Sequence, residues 1–168
     1  MAEPLTALPP LGGYDQAFGP NRLVERSDLA ITSVALPQGQ TLAPPSGATA
    51  IPTGPDQVFL LAPMGAEHDL AGAYATDQTH GWAILDLSGP DSVSAFVRCC
   101  HRDLHPDSFA VGASARTVME HLSVVILRQA KDGFRLMSPS SSAASFLHAV
   151  ETSLQNVGAH PAVPDANV

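Results

Sequence analysis

At 168 residues the chain is long enough to bury a core and too short for two ordinary domains joined by a linker. Sixteen acidic against eight basic residues leave a formal charge of −8, a field that repels phosphate backbones and anionic headgroups, so nucleic acid and membranes are not expected partners. Charged residues are only 14% of the chain against 45% hydrophobic, too few to dress a fully solvated surface, so part of that surface is expected to lie under another chain.

Residues 1–21 hold Pro4, Pro9, Pro10, Pro20 and the Gly12-Gly13 pair, which cannot sustain a helix or a central strand. They read as an extended N-terminal arm, either floppy or laid across a partner through Leu5, Leu8, Leu11, Tyr14 and Phe18. The first basic residue is Arg22, so no secretory n-region is expected. No apolar run approaches the roughly 20 residues of a membrane span, and a cytoplasmic protein is expected. Residues 22–158 read as a single α+β domain and residues 159–168, with Pro161 and Pro164, as a loose tail.

Within the domain, Leu29–Leu36 carries the β-branched residues Ile31, Thr32 and Val34 and stops at Pro37, which predicts a strand. Residues 38–55 read as loop, with a short strand near Ala50-Ile51. Val58–Ala62 is a second apolar run and reads as a buried strand. Ala66–Tyr74 reads as a short helix weakened by Gly65 and Gly72. Trp82–Leu87 is an apolar run short enough for a strand buried on both faces. Ser88-Gly89-Pro90-Asp91 then starts a helix: Ser88 or Gly89 is the expected cap, Pro90 needs no N–H there, and Asp91 faces the positive end of the dipole. Val93, Phe96, Val97 and Cys100 follow at helical spacing and predict an apolar helix face.

Asp103–Ala113 reads as a connection. Ser114–Glu120, Leu122–Gln129 and Phe134–Met137 read as strands, the last two joined in a hairpin whose Asp132-Gly133 is expected to supply a positive φ. Ser138-Pro139 repeats the cap-and-proline pattern ahead of a helix with the stripe Ala143, Phe146, Leu147, Val150 and Leu154, ending near Gly158. The order β-α-β-β-β-α from residue 80 predicts helices packed on a mostly antiparallel sheet.

No constellation carries chemistry. Cys99, Cys100, His101 and His105 have zinc-ligand chemistry, but adjacent helical cysteines point about 100° apart and Pro106 biases His105 away from helix. The two thiols are read as free, since a vicinal disulfide is strained, with Cys100 in the core and the histidines on a loop. Gly112-Ala113-Ser114-Ala115-Arg116 lacks the closing glycine of a nucleophile elbow, and neither phosphate-binding glycine pattern occurs. Asp77, Asp86 and Asp103 are scattered and read as turn or surface residues. On one strand, His80 and Trp82 would share a face, as in a ligand pocket, but Trp82 reads better as core or interface and His80 as the strand entrance. No catalytic, cofactor-binding or metal residue is assigned.

Four pieces carry a family resemblance: Trp82-Ala83-Ile84-Leu85-Asp86-Leu87-Ser88-Gly89-Pro90-Asp91; Asp103-Leu104-His105-Pro106; Phe109-Ala110-Val111-Gly112 leading to Thr117; and Asp132-Gly133-Phe134 followed by Ser138-Pro139 and a terminal helix. From about Asp77 to Leu154 the chain resembles the gamma subunits of heterotetrameric bacterial sarcosine oxidase. These are similar to one portion of the folate-binding aminomethyltransferase superfamily, which includes the glycine-cleavage T-protein. Arg98-Cys99-Cys100-His101 does not match the K-G-C-x-x-G-Q signature of the related iron-sulfur maintenance proteins. The resemblance implies a non-catalytic assembly subunit in a complex that converts sarcosine to glycine, with hydrogen peroxide and methylene-tetrahydrofolate as products. It also implies alpha, beta and delta partner subunits that hold FAD, FMN, NAD, tetrahydrofolate and zinc, and none of these in this chain. The alternatives are a subunit of a related complex demethylating another N-methyl amino acid, and a stand-alone folate or small-molecule binding domain.

Overall fold

The computed structural model describes residues 7–70 and 72–159. Its first sheet has six strands, β1 (Asp15–Phe18), β2 (Asn21–Glu25), β7 (Trp82–Ser88), β8 (Ser114–Met119), β9 (Leu122–Ala130) and β10 (Gly133–Pro139), in the order β1-β2-β7-β10-β9-β8. The second has four, β3 (Leu29–Ala35), β4 (Thr49–Gly54), β5 (Gln57–Pro63) and β6 (Tyr74–Asp77), in the order β4-β5-β3-β6. All pairings are antiparallel. Two helices, α1 (Ser92–Phe96) and α2 (Ala143–Ala159), complete the α+β fold.

Alternation along the central strands explains the layering. Leu85, Leu87, Val124, Ile126, Phe134 and Leu136 share one apolar cluster with Phe96, Phe146, Val150 and Leu154 of the helices. Ile84, Val125, Leu127 and Met137, on the opposite face, join Ile31, Ile51, Phe59 and Leu61 of the second sheet. Helices, six-stranded sheet and four-stranded sheet thus form three layers. Strands buried on both faces read as continuous apolar runs, which is why β7, β9 and β10 are visible in the sequence.

Several expectations are corrected. Part of the arm belongs to the first sheet, because β1 pairs with β2 and Asn21 opens β2. Residues 11–14 are pinned as well: the buried carboxylate of Glu25 accepts from the N–H groups of Leu11 at 2.9 Å, Gly13 at 2.7 Å and Tyr14 at 3.3 Å. Residues 1–6 lie outside the described residues, as does the expected tail beyond Ala159. Between residues 66 and 74 no helix forms among the described residues. Gly65 and Gly72 take positive φ, and Tyr74 already belongs to β6.

The first helix is also shorter than its stripe. After Phe96 the chain tightens, with the Cys99 N–H bonding the Phe96 carbonyl, and Cys100 then bridges to Met119 at the sheet edge. Val97 is therefore 73% exposed. Asp91, not Ser88 or Gly89, holds the cap position, and its side chain makes no cap bond. It is engaged by Asn21, which donates to the Asp91 carboxylate at 2.9 Å and accepts from the Asp91 N–H at 3.0 Å. Pro139 ends β10 instead of opening α2, which is entered through a 3-10 turn at Ser140–Ser142.

The β9–β10 hairpin forms without positive φ at Asp132 or Gly133, through a register shift between Gly133 and Phe134. Positive φ occurs instead at Glu120 (44°) and His121 (70°), the two-residue turn between β8 and β9. No helix among the described residues is long and apolar enough to cross a membrane.

Candidate functional site

Among the described residues, the candidate side chains gather around two concavities and two polar clusters. His80 does not share a strand with Trp82. It lies exposed in a 3-10 turn, Thr79–Gly81, whereas Trp82 begins β7 and stacks edge-on against Phe59 at 5.0 Å between ring centroids. Both nevertheless line a cavity of about 120 Å³ closed by Pro9, Pro10, Leu29 and Met64. That is well below the roughly 300 Å³ at which ordinary small-molecule pockets begin, so a folate does not fit beside this indole.

A wider groove of about 1100 Å³ runs between α1 and α2, lined by Pro20, Val97, Cys99, Glu120, His148 and Asn156 among others. No Phe, Tyr or Trp lines it, so it lacks the large rings that would stack broadly on a pterin or flavin. Cys99, rather than Cys100, is the core thiol. Burial, followed by the neighbouring Cys100, pushes the Cys99 thiol up to about 11, and burial raises Cys100 too. Neither is a thiolate nucleophile near neutral pH. His101 and His105 stand on the loop after α1, and the His105 N–H bonds the Asp103 carboxylate at 2.9 Å. That bond holds Asp103 below the usual carboxylate range. Among the described residues no group of three His, Cys, Asp or Glu side chains is placed to hold a metal.

Of the three scattered carboxylates, Asp77 and Asp103 do sit in exposed turn or edge positions, bonded to the N–H groups of Thr79 and His105. Asp86 does not. Its neighbours Leu85 and Leu87 face the helices, so its side chain projects toward the four-stranded sheet. There it takes two bonds from Arg135, at 2.8 and 2.7 Å, and one from Arg26 at 2.7 Å. Arg26 in turn grips Asp28 through two bonds of 2.7 Å. This chain of charges ties β7 and β10 to the connection between β2 and β3.

The second cluster is a single residue. Arg128 is 1% exposed and donates to the carbonyls of Ala130 (3.2 Å), Leu104 (3.2 Å), Phe109 (2.8 Å) and Lys131, with its guanidinium 5.2 Å from the Phe134 ring centroid. It fastens the 103–113 connection to the end of β9. Sequence reasoning missed both clusters, because an arginine or aspartate within a strand pattern reads as surface. Every strong donor in them is consumed by structure.

No family model matches the chain. Two curated proteins do, both called sarcosine oxidase subunit gamma. One, from Corynebacterium sp. (strain P-1), is 25% identical over 116 residues, 64% of this chain and 57% of that protein. The other, from Arthrobacter sp., is 26% identical over 120 residues, 64% of this chain and 58% of that protein. The chain is similar to sarcosine oxidase gamma subunits. The matches span little more than half the length of these relatives. In fold, the chain is similar to a chain of the heterotetrameric sarcosine oxidase from Corynebacterium sp. U-96, solved with pyrrole 2-carboxylate, which superposes with a TM-score of 0.74 and 18% identity over 85% of this chain and 88% of that one.

Proposed function

We propose that the chain is a non-catalytic gamma-type assembly subunit of a heterotetrameric sarcosine oxidase. The observation that carries this reading is the match to two curated gamma subunits across 64% of the chain. In this proposal the partner alpha, beta and delta subunits hold FAD, FMN, NAD, tetrahydrofolate and zinc. The complex oxidises sarcosine to glycine, delivers electrons to oxygen as hydrogen peroxide and passes the methyl carbon to tetrahydrofolate. The contribution of this chain is a rigid three-layer block against which the larger chains assemble.

The test is co-expression with the large flavin-bearing subunits, followed by size-exclusion mass analysis and flavin absorbance. A stable flavin-bearing heteromer is expected, with loss of the complex or of sarcosine oxidation when this chain is omitted. A folded monomer that ignores those subunits would overturn the proposal.

A further inference from the structure

The register of the four-stranded sheet leaves one backbone edge unsatisfied. Along an antiparallel strand, successive residues turn their N–H and carbonyl groups to opposite neighbours. The Leu36 N–H bonds the Asp56 carbonyl and the Met64 N–H bonds the Asp28 carbonyl, so the even-numbered residues of β3 bond toward β5. The Gln78 N–H bonds the Ile31 carbonyl, so the odd-numbered residues bond toward β6. Tyr74 and Thr76, opposite Ala35 and Ser33, therefore face β3 with their backbone groups, while Ala75 and Asp77 turn theirs outward. β6 is the terminal strand of its sheet and all four of its residues are exposed. Among the described residues the outward N–H and carbonyl groups of Ala75 and Asp77 meet no partner.

The other sheet edges are blunted in ways that β6 is not. β4 carries Pro52 and a register shift between Pro52 and Gly54. β8 is met by the His101 N–H, which bonds the Val118 carbonyl, and by the bridge from Cys100 to Met119. β1 turns Asp15 and Ala17 outward, and Asp15 is held there in an exposed ion pair with Arg22. β6 contains no proline, lysine or arginine, and its one carboxylate, Asp77, is drawn back to the Thr79 N–H at 2.9 Å.

An open edge is completed by another strand, and a second copy of the chain supplies one whose register can be worked out. Antiparallel pairing of β6 with itself must join outward residues to outward residues. Asp77 opposite Asp77 would set like charges face to face. Ala75 opposite Ala75 would bring Asp77 against Ala73, whose N–H already bonds the Leu70 carbonyl. Ala75 opposite Asp77 of the second copy uses every outward group on both chains, two hydrogen bonds for each of two such pairs. In that register Thr76 meets Thr76 of the second copy on the two-fold axis, and Tyr74, 80% exposed, lies diagonal to it on the same face. We propose that β6 is a self-pairing edge through which two copies of the chain join their four-stranded sheets into one continuous sheet. The contact is isologous and closes on itself. A strand this short gives less than a standard interface, so a dissociation constant in the micromolar range or weaker is expected. The proposal goes beyond the assembly reading, and neither depends on the other.

Sedimentation equilibrium of the purified full chain, at concentrations up to about 1 mM, reads the dimer directly. Ala75→Pro removes one outward N–H from each chain at an edge position that tolerates proline. Half of the bonds between the copies are lost, and dimerisation is expected to weaken at least about ten-fold. Thr76→Lys sets two ammonium groups against each other on the axis and is expected to weaken it by a similar factor at low salt, with partial recovery at high salt. Ala17→Pro removes the corresponding outward N–H of β1 and is expected to match wild type. Circular dichroism checks each fold; should Ala75→Pro misfold, the exposed substitution Thr76→Lys decides. A wild-type chain of single mass at every concentration overturns the proposal. So does a wild-type dimer that Thr76→Lys and a folded Ala75→Pro leave unchanged, or one that Ala17→Pro dissociates in their place.

Discussion

Replacing Arg128 by methionine tests whether one buried cation fastens the 103–113 connection. Methionine keeps most of the apolar stem and removes the guanidinium. The carbonyls of Ala130 and Lys131 belong to exposed residues and regain water, whereas those of Leu104 and Phe109 belong to residues 4% and 1% exposed and are left without their donor. Two stranded buried acceptors cost about 1–3 kcal/mol each, and the desolvated contact with Phe134 adds about 1 kcal/mol. Against this, the variant no longer removes a guanidinium from water, a relief of several kcal/mol at most. The balance is a loss of about 3 kcal/mol, which for a chain of this size lowers the Tm by roughly 6–12 °C. Urea unfolding followed by the single Trp82 gives the total. Amide exchange at Gly112 and Phe109 gives the location, since Gly112 N–H bonds the Arg128 carbonyl and Phe109 N–H bonds His105. Arg128→Lys is expected to fall between the two, one ammonium replacing a fork of donors. A methionine variant within about 0.5 kcal/mol of wild type, with unchanged exchange in this connection, would refute the fastening role.

Three further outcomes follow from other positions. Gly89 has φ 131°, and a Cβ there would lie 2.3 Å from Asn21 Oδ1 and 2.7 Å from Asn21 Cα; Gly89→Ala is therefore expected to cost more than about 2 kcal/mol in a denaturant titration, and a neutral result would contradict the described approach of β2. Exchanging Glu120-His121 for Asn-Gly removes left-handed strain from two non-glycine residues and is expected to add about 1–2 kcal/mol; an unchanged urea midpoint would show that the turn is not strained. Arg26 holds the Asp28 carboxyl below its usual range. The unfolded chain then binds more protons, so stability is fully present above the unfolded pKa and is lost as pH falls through the folded value. Asp28→Asn should flatten that acid limb, and an identical limb in the variant would remove Asp28 from the account.

The parts of the fold that sequence reveals are those whose signal is local. Val124–Leu127 and Ile84–Leu85 are apolar on both faces, and Ala143, Phe146, Val150 and Leu154 recur at helical spacing, so β9, β7 and α2 are legible. The strands β1 and β6 are not: Asp15–Phe18 and Tyr74–Asp77 are edge strands with mostly exposed side chains, and nothing in their composition separates them from loop. Helix α1 carries a misleading signal, because Val97 and Cys100 complete a stripe that the bridge to Met119 interrupts. Arg128, Glu25 and Asp86 were beyond reach for a common reason: their partners are backbone groups or side chains brought together from distant segments.

The strand order also sets a timetable for synthesis. Residues 29–77 contain every strand of the four-stranded sheet, so that sheet can close as soon as its own sequence has emerged. The six-stranded sheet cannot, because β2 meets β7 and β7 meets β10, and 108 residues separate Glu25 from Gly133. At roughly 5–20 residues per second, translation keeps β1 and β2 waiting about 5–20 s for the strands that complete their sheet. The hydrogen bond from Tyr14 to Glu151 forms later still, when the final helix arrives. During that interval the nascent chain presents a finished four-stranded layer whose inner apolar face, with Ile31, Phe59 and Leu61, is still open to chaperones.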